Sequence, residues 1–308
     1  MARKRRGRPI HGWIIIDKPL GMTSSTVVGK VRKYLDAAKA GHGGTLDPLA
    51  SGVLPIALGE ATKTMSYVMD GHKTYEFTVT WGEATQTDDC EGEIVERSDH
   101  RPSEDAIEAV LGEFSGAIEQ VPPVFSAIKV NGQRAYALAR ADQEVELQPR
   151  TVFVENLALI DCPDPDHAAF TLTCGKGTYV RSLGRDLAIR LGTVGHISKL
   201  RRTVVGPFSE DVAISLDSLE SLGHIAPDSE NLLPIETVLD DIPALALTIE
   251  EARRLKQGQA VSILPVASRS PETDVKQGDI VSAMSEGRLV ALAEIIGGEI
   301  RPFRVMNL

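Results

Sequence analysis

The spacing of apolar residues over the first 245 positions predicts strands and helices that follow no regular repeat. The clearest strand is 74–81, where Tyr75, Phe77, Val79 and Trp81 share one side and threonines occupy the other. This alternation is typical of a half-buried strand in an antiparallel sheet. Further strands are predicted at 12–16, 53–58, 151–160 and 168–174, and helices at 25–35, 61–69, 103–116 and 178–191. The irregular mixture predicts an α+β fold, with a mixed, mainly antiparallel sheet flanked by helices.

Polar residues and glycines mark the predicted ends of the helices. Ser25 and Ser103 are the expected N-caps, because a serine hydroxyl accepts a hydrogen bond from the first helical turn. Gly116 and Gly192 are the expected stops of the helices that precede them.

The pattern changes near residue 245. Thr248 and Glu251 form a capping box, and short strands with tight turns at 285–287 and 297–298 follow. We therefore expect a main domain at 11–245 and a small β-barrel-like domain at 246–308. Residues 1–10 are expected to form a disordered tail that is basic, with Arg3, Lys4, Arg5, Arg6 and Arg8 and no acidic residue.

The composition argues against several classes of protein. No apolar run approaches the roughly 18–20 residues that span a bilayer, and the N-terminus lacks the apolar segment of a secretory signal. The 3 cysteines have no C-x-x-C spacing, and the 7 histidines lack the spacing of metal ligands. A cytoplasmic protein without a disulfide framework or metal site is expected. A monomer is also expected, because the sequence shows no exposed apolar stripe.

Charge is segregated along the chain. The net charge of −10 argues against an indiscriminate nucleic-acid binder. Basic residues nevertheless dominate 176–202, where Asp186 is the only acid, and acidic residues gather in 88–96 and 228–251. The segregation fits a polyanion bound on one face, although a solvated helix face would give the same pattern.

The segment 41–55, G-H-G-G-T-L-D-P-L-A-S-G-V-L-P, carries the strongest candidate chemistry. Pro48 disfavours helical geometry at Asp47, and the glycines let the backbone approach a ligand closely. An aspartate before proline most often bonds the N–H groups of its own turn. The alternative is a nucleophile or general base, which needs a positive partner to stay ionised. Arg181 is a plausible partner, because an arginine stays charged and matches a carboxylate in fork geometry.

Each of the other candidate residues has two possible interpretations. His42, between glycines, is an ordinary loop histidine or a group that wedges against a nucleobase. Tyr75 packs in the core or presents its ring to a planar base. Lys18 and Lys63 are phosphate contacts or solvated lysines. The acidic run 88–92 favours a glycine-terminated hairpin over a metal site.

Taken together, these segments resemble the TruB-type branch of the pseudouridine synthases, the bacterial tRNA pseudouridine-55 synthases. The matching blocks occur in family order over most of residues 12–205. They are G-W-I-I-I-D-K-P-L-G-M-T-S at 12–24, the 41–55 segment, G-E-A-T-K at 59–63, K-T-Y-E-F at 73–77, T-Q-T-D-D-C-E-G at 85–92, P-P-V-F-S-A-I-K-V-N-G-Q-R-A-Y at 122–136, G-K-G-T-Y-V-R-S-L at 175–183 and L-R-R-T at 200–203. The C-terminal segment resembles a PUA-type RNA-binding domain.

The resemblance implies the pseudouridine synthase fold and an isomerisation that uses no cofactor and no metal. One uridine in the T-loop of tRNA loses its N-glycosidic bond, and the rotated base is rejoined through carbon. In this sequence Asp47 would be the nucleophile, paired with Arg181, and Tyr75 would stack on the base and assist proton transfer. His42 would fill the space that the base leaves. Tyr179 and Leu200 would line the pocket, and the T-loop and stem of tRNA would be the partner.

Two other functions remain open at this point. One is a non-catalytic RNA-binding or tRNA-folding protein on the same scaffold, against which the set Asp47, Tyr75 and Arg181 argues. The other is the guide-RNA-dependent branch of the superfamily, disfavoured because long lysine-rich extensions are absent. No guide RNA is therefore expected. The chemical route also stays open among attack at C1′, attack at C6 and a glycal.

Overall fold

A large, mainly antiparallel sheet forms the centre of the protein in the computed structural model. The structure describes residues 7–126, 128–130, 132–135, 138, 141, 143, 145, 147–222, 230–270 and 274–308. In chain order the strands are β1 (Gly12–Lys18), β2 (Ala40–His42), β3 (Ala50–Leu58), β4 (Lys73–Trp81), β5 (Glu83–Thr85), β6 (Ile94–Arg97), β7 (Gly116–Gln120), β8 (Lys129–Val130), β9 (Gln133–Arg134), β10 (Arg150–Asp164), β11 (His167–Cys174), β12 (Gly195–Val205), β13 (Phe208–Ser209), β14 (Ala244–Ala246), β15 (Val261–Ser262), β16 (Ile280–Ser285), β17 (Arg288–Ile296) and β18 (Glu299–Val305).

The order in the large sheet is β1-β3-β12-β4-β11-β10-β7, with β2 beside β3 and β13 beside β12. Strands β3 and β12 run parallel, whereas the other neighbours are antiparallel. The predicted mixed, mainly antiparallel sheet is confirmed. The alternation on β4 is also confirmed, since Phe77, Val79 and Trp81 are buried while Tyr75 at the strand's beginning is half-buried.

Helices flank this sheet on both of its faces. They are α1 (Ser24–Tyr34), α2 (Met65–Asp70), α3 (Glu104–Leu111), α4 (Val180–Arg190) and α5 (Leu216–Leu222), followed in the C-terminal part by α6 (Ile249–Lys256) and α7 (Ile263–Ala267). Short 3-10 turns occupy Gly59–Lys63, Gly112–Phe114, Glu210–Val212 and Ile235–Val238. Val31 of α1 and Leu183 of α4 join one core with Phe77 and Ile14 of the sheet. Burial of these faces provides most of the stability expected of such helices.

The opposite face of β1 and β3 packs against the C-terminal part of the chain. Trp13 and Ile15 form a second core with Leu289, Leu292 and Met306. Strand β1 is therefore buried on both faces, which explains why 12–16 reads as a nearly continuous apolar run and not as an alternation.

A second sheet, in the order β14-β16-β17-β18-β15, forms the C-terminal part. It encloses its own core, which includes Leu255 of α6 together with Val281 and Ala291. The capping box of Thr248 and Glu251 at the start of α6 is confirmed. Strand β14 begins this sheet at Ala244, two residues before the predicted domain start at 246.

Two predicted helix ends were wrong, and one predicted helix is divided in two. Thr23, and not Ser25, caps α1, because its Oγ1 accepts from the N–H of Thr26 at 3.1 Å. The helix capped by Ser103 ends at Leu111, and Gly116, with a φ of +82°, opens β7 instead of ending a helix. The region 61–69 is divided between the 3-10 turn Gly59–Lys63 and α2.

Arg8, which was predicted to lie in the disordered N-terminal tail, is bonded to the folded protein. Residues 1–6 lie outside the described residues. The N–H of Arg8 donates to the carbonyl of Asp36, and the carbonyl of Arg8 accepts from Ala38 at 2.9 Å. The disordered tail predicted for 1–10 therefore does not include Arg8.

Within the described part of the chain, no helix is long and apolar enough to cross a membrane. The same residues contain no group of three or more His, Cys, Asp or Glu side chains placed to hold a metal ion.

Candidate active site

Neighbouring segments hold the glycine-rich loop between β2 and β3 through its backbone. The hydroxyl of Ser24, at the start of α1, accepts from the N–H of Leu46 at 2.8 Å and donates to the Leu46 carbonyl at 3.0 Å. The carbonyl of Pro48 accepts from the N–H of Gly21 at 2.8 Å. Asp47 lies between these two anchored residues, so its backbone has little freedom.

A buried guanidinium holds the first half of the same loop. Arg202 on β12 is only 1% exposed. Its Nη2 donates to the carbonyl of Gly44 at 3.1 Å, its Nη1 to that of Thr45 at 3.5 Å and its Nε to that of Val53 at 2.9 Å. Gly44 has a φ of +140°, a conformation that favours glycine, so this turn of the loop depends on that residue.

The structure brings the two predicted partners Asp47 and Arg181 together. Oδ2 of Asp47 lies 2.8 Å from Nη2 of Arg181. The Arg181 side chain is 5% exposed, whereas that of Asp47 is 37% exposed. The Asp47 carboxylate is therefore open to solvent on one side, where a substrate can reach it, and paired with a buried guanidinium on the other.

Arg181 has further partners that fix its orientation. Its Nη1 donates to the carbonyl of Thr87 at 3.0 Å, and its Nη2 donates to that of Phe125 at 3.1 Å. Nη1 also lies 3.6 Å from Oδ2 of Asp89, which is itself buried. The guanidinium therefore bridges the loop of Asp47 and the hairpin of β5 and β6.

The beginning of α4 places Arg181 and Tyr179. The side-chain amide of Gln120, at the end of β7, accepts from the N–H of Tyr179 at 2.7 Å and donates to the Tyr179 carbonyl at 3.0 Å. This clamp fixes the residue that precedes the first helical turn. Burial, and to a lesser extent the Asp47 charge, raises the pKa of the Tyr179 hydroxyl.

Tyr75 and Leu200 lie on neighbouring central strands. Leu200 on β12 pairs with Ala50 on β3 and with Phe77 on β4, so it stands between the strand that leaves the loop and the strand of Tyr75. Burial raises the pKa of the Tyr75 hydroxyl, and the nearby Arg202 guanidinium opposes part of that rise. The hydroxyl is therefore protonated at neutral pH.

His42 ends β2, where it pairs with Ile56 of β3. Its side chain is half-buried, and burial together with the charge of Arg202 lowers its pKa. The imidazole is therefore neutral at pH 7 and presents a planar, uncharged surface.

Two lysines that the sequence suggested as phosphate contacts are bonded to oxygen atoms of the protein. Lys18 is 0% exposed, and its Nζ donates to the carbonyls of Pro19, Met22 and Pro48 at 2.9, 2.6 and 3.4 Å. Burial lowers its pKa from 10.5 to about 8, although the Asp47 charge opposes this. Lys63 bonds Glu60 and, at 2.6 Å, the carbonyl of Val305 on β18. Both ammonium groups are thus held by the protein, because each already has internal oxygen partners.

In the basic stretch 176–202, several basic side chains are buried or paired with carboxylates of the protein. Arg181 and Arg202 are buried, and Arg201 binds the carboxylate of Asp17 at 3.0 and 3.1 Å and also that of Glu210. Lys199 is exposed on β12. Asp89, Ser24, Gln120 and Arg202 were missed as contributors to the site, and only the position of Asp89 in the 88–92 run offered a signal.

Comparison with known families identifies the chain. Residues 32–180 match the family described as "TruB family pseudouridylate synthase (N terminal domain)". Residues 181–240 match the "tRNA pseudouridylate synthase B C-terminal domain". The chain belongs to the TruB family of pseudouridylate synthases. Asp47, Tyr75 and Asp89 lie in the first matched region of this TruB family member, and Arg181 opens the second.

Relatives of this TruB family chain extend over its whole length. The tRNA pseudouridine synthase B of Rhodospirillum rubrum is 60% identical over 308 residues, which cover 100% of both chains. That of Caulobacter vibrioides is 53% identical over 309 residues, again with 100% of both chains covered.

Solved structures share the fold. A Cbf5-Nop10-Gar1 complex contains a chain that is 28% identical, with a TM-score of 0.71 over 96% of this chain and 84% of that one. An H/ACA RNP bound to a substrate RNA containing 2'-deoxyuridine gives a TM-score of 0.72 at 26% identity over 99% and 91% of the two chains. The TruB family chain thus has a pseudouridine synthase fold.

Proposed function

We propose that this TruB family member converts the uridine at position 55 in the T-loop of tRNA to pseudouridine. The reaction breaks the N-glycosidic bond, rotates the base and rejoins it to the same ribose through carbon. The observation that carries the proposal is the partly exposed Asp47 carboxylate, held 2.8 Å from the buried Arg181 guanidinium.

Asp47 acts in the bond-breaking step. Attack on C1′ or on C6 makes it a nucleophile, whereas a glycal route makes it the base that removes a proton from the sugar. Each route needs an ionised, oriented carboxylate. Arg181 supports both properties through its charge and its planar geometry, and Asp89 on its other side keeps it in place.

The aromatic residues receive the displaced base. Tyr75 stacks on the uracil and, as a protonated phenol, assists proton transfer. Tyr179 and Leu200 line the pocket, and neutral His42 fills the space that the uridine leaves in the RNA loop. Extruding a base costs a few kcal/mol, and stacking against aromatic rings offsets part of this cost.

The T-loop and stem of tRNA are the proposed partner, and the C-terminal sheet is proposed to contact RNA as a PUA-like domain. The protein is proposed to act in the cytoplasm as a monomer.

Incubation of the purified protein with an unmodified tRNA transcript tests the proposal. We expect pseudouridine at the T-loop uridine alone, mapped by chemical modification and primer extension, with no other RNA and no metal-containing cofactor added. A transcript with cytidine at that position is the substrate control. Asp47→Asn is the enzyme control, and we expect it to abolish turnover while tRNA binding is largely retained. Turnover by Asp47→Asn near the wild-type rate would exclude Asp47 as the reacting group.

The guide-RNA-dependent reaction is the second candidate, because the Cbf5 complexes share the fold. It predicts no modification in the same assay until a guide RNA is supplied. Modification by the protein alone excludes it, and so distinguishes the two functions in one experiment.

A further inference from the structure

Arg202 is a buried cation held chiefly by backbone carbonyls. Among the described residues, its guanidinium has no carboxylate within salt-bridge distance, and it donates to Gly44, Thr45 and Val53. A buried charge is costly unless its donors are satisfied. An ordinary apolar side chain would fill this position at lower cost, so the guanidinium must contribute something that packing alone does not.

The backbone of Arg202 is fixed in register between two strands of the site. Arg202 pairs with Gly52 of β3 on one side and with Tyr75 of β4 on the other. A Cβ at Gly52 would lie 2.2 Å from the Arg202 carbonyl oxygen, so this approach requires glycine. The starting point of the Arg202 side chain is therefore closely determined relative to both strands.

From that point the guanidinium reaches two parts of the site at once. It donates to the carbonyls of Gly44 and Thr45, which lie three and two residues before Asp47. On its other side Arg202 is the direct cross-strand partner of Tyr75, so the two side chains leave the same face of the sheet. One residue thus connects the loop of the proposed nucleophile with the ring proposed to stack on the base.

We propose that Arg202 is a positioning residue that sets the separation between Asp47 and the base stacked on Tyr75. This inference rests on the proposed function. A lysine keeps the charge but cannot reproduce a planar group that donates in three directions. A misplacement of about 1 Å between reacting groups can cost on the order of 100-fold in rate.

Arg202→Lys is compared with Arg201→Lys, the same substitution on the neighbouring residue, whose side chain binds Asp17 and Glu210. The rate of pseudouridine formation is measured in a single turnover with enzyme in excess over tRNA, and the dissociation constant of tRNA is measured separately. Because the enzyme is in excess, the tRNA is bound by folded enzyme. The observed rate constant therefore describes the folded protein and does not depend on how much of the variant is unfolded. We expect Arg202→Lys to slow the reaction by about 10- to 100-fold, with tRNA affinity within about twofold of wild type. We expect Arg201→Lys to stay within about twofold in both.

A double-mutant cycle with Tyr75→Phe separates positioning from a general structural role. If Arg202 acts partly through the Tyr75 hydroxyl, Arg202→Lys costs less in the Tyr75→Phe background than in wild type. Additive effects would overturn the link to Tyr75. If Arg202→Lys yields no folded protein, Arg202→Gln, which retains a planar donor, is measured against the same criteria.

The outcomes distinguish the two proposals. An inactive wild-type protein rejects the proposed function. An active wild type with Arg202→Lys as fast as Arg201→Lys rejects the positioning role alone, and so does a loss that appears entirely as weaker tRNA binding.

Discussion

Replacing Lys18 by methionine should make the stability difference from wild type depend on pH. Burial lowers the pKa of Lys18 from 10.5 to about 8 in the folded protein. Methionine has a similar length and no titrating group. At any one pH, Lys18→Met removes the hydrogen bonds of the ammonium group and also removes the cost of burying it. The sign of the net change in stability depends on both, so we predict only how that change varies with pH.

Proton counting gives the direction. Above pH 10.5, Lys18 is neutral in both states. As the pH falls from 10.5 to about 8, the unfolded chain binds a proton that the folded protein does not, so the folded protein loses stability. Below about 8 both states are protonated and the contribution is constant. Wild type should therefore gain stability relative to Lys18→Met as the pH rises through this window.

The two pKa values set the size of the effect. They differ by about 2.5, from 10.5 to about 8, and one pKa unit corresponds to about 1.4 kcal/mol, so the expected change is at most about 3.5 kcal/mol. Urea unfolding of both proteins, at intervals from pH 7.5 to 10.5, would measure it. Other groups titrate in both proteins and cancel in the difference.

Lys199→Met is the matched control, because Lys199 is exposed on β12. Its difference from wild type should be flat over the same range. A flat difference for Lys18→Met as well would refute the conclusion that the Lys18 ammonium is desolvated beneath the loop.

Three further substitutions test the site and the junction with the C-terminal sheet. Arg181→Lys should impair pseudouridine formation, by about 10-fold or more, to a greater extent than folding, since an ammonium cannot reproduce the planar fork; an unchanged rate would contradict the pairing with Asp47. Asp89→Asn should lower the free energy of unfolding, measured in urea, by about 2 kcal/mol. This is less than the cost of a fully broken buried pair, because Asp47 still pairs with Arg181. An equal effect of Asp99→Asn, at an exposed position, would contradict a role for the buried Asp89 charge. Met306→Ala, in the core shared by the two sheets, should cost about 2–5 kcal/mol in the same assay, whereas alanine at exposed Leu264 should cost little.

The sheet could be predicted from local patterns because those patterns report burial directly. On β4 every second side chain enters the core, and the alternation of Phe77, Val79 and Trp81 records it. Helix ends were less predictable, because several residues near each end are competent. Thr23 and Ser25 can both cap α1, and a glycine such as Gly116 can end a helix or open a strand.

The internal charges could not be predicted from spacing. Lys and Arg are almost never fully buried, so Lys18 and Arg202 were assigned to the surface. Arg202 is held by carbonyls from distant segments, such as that of Gly44, and Lys18 combines the local carbonyls of Pro19 and Met22 with that of distant Pro48. Asp89 was similarly placed in a plain hairpin, because its approach to Arg181 depends on how the hairpin folds against α4.

These buried charges also change the physical account of the glycine-rich loop. Glycine makes a chain flexible, so the glycines on their own do not make the loop rigid. They let it pass close to other groups: a Cβ at Gly43 would lie 2.9 Å from a Val68 methyl group. Rigidity comes from outside the loop, through Ser24, Lys18 and Arg202, whose polar groups bind its backbone. Each anchor can therefore be changed without altering any residue of the loop, and any resulting loss of rate would arise from the position of Asp47 and not from its chemistry.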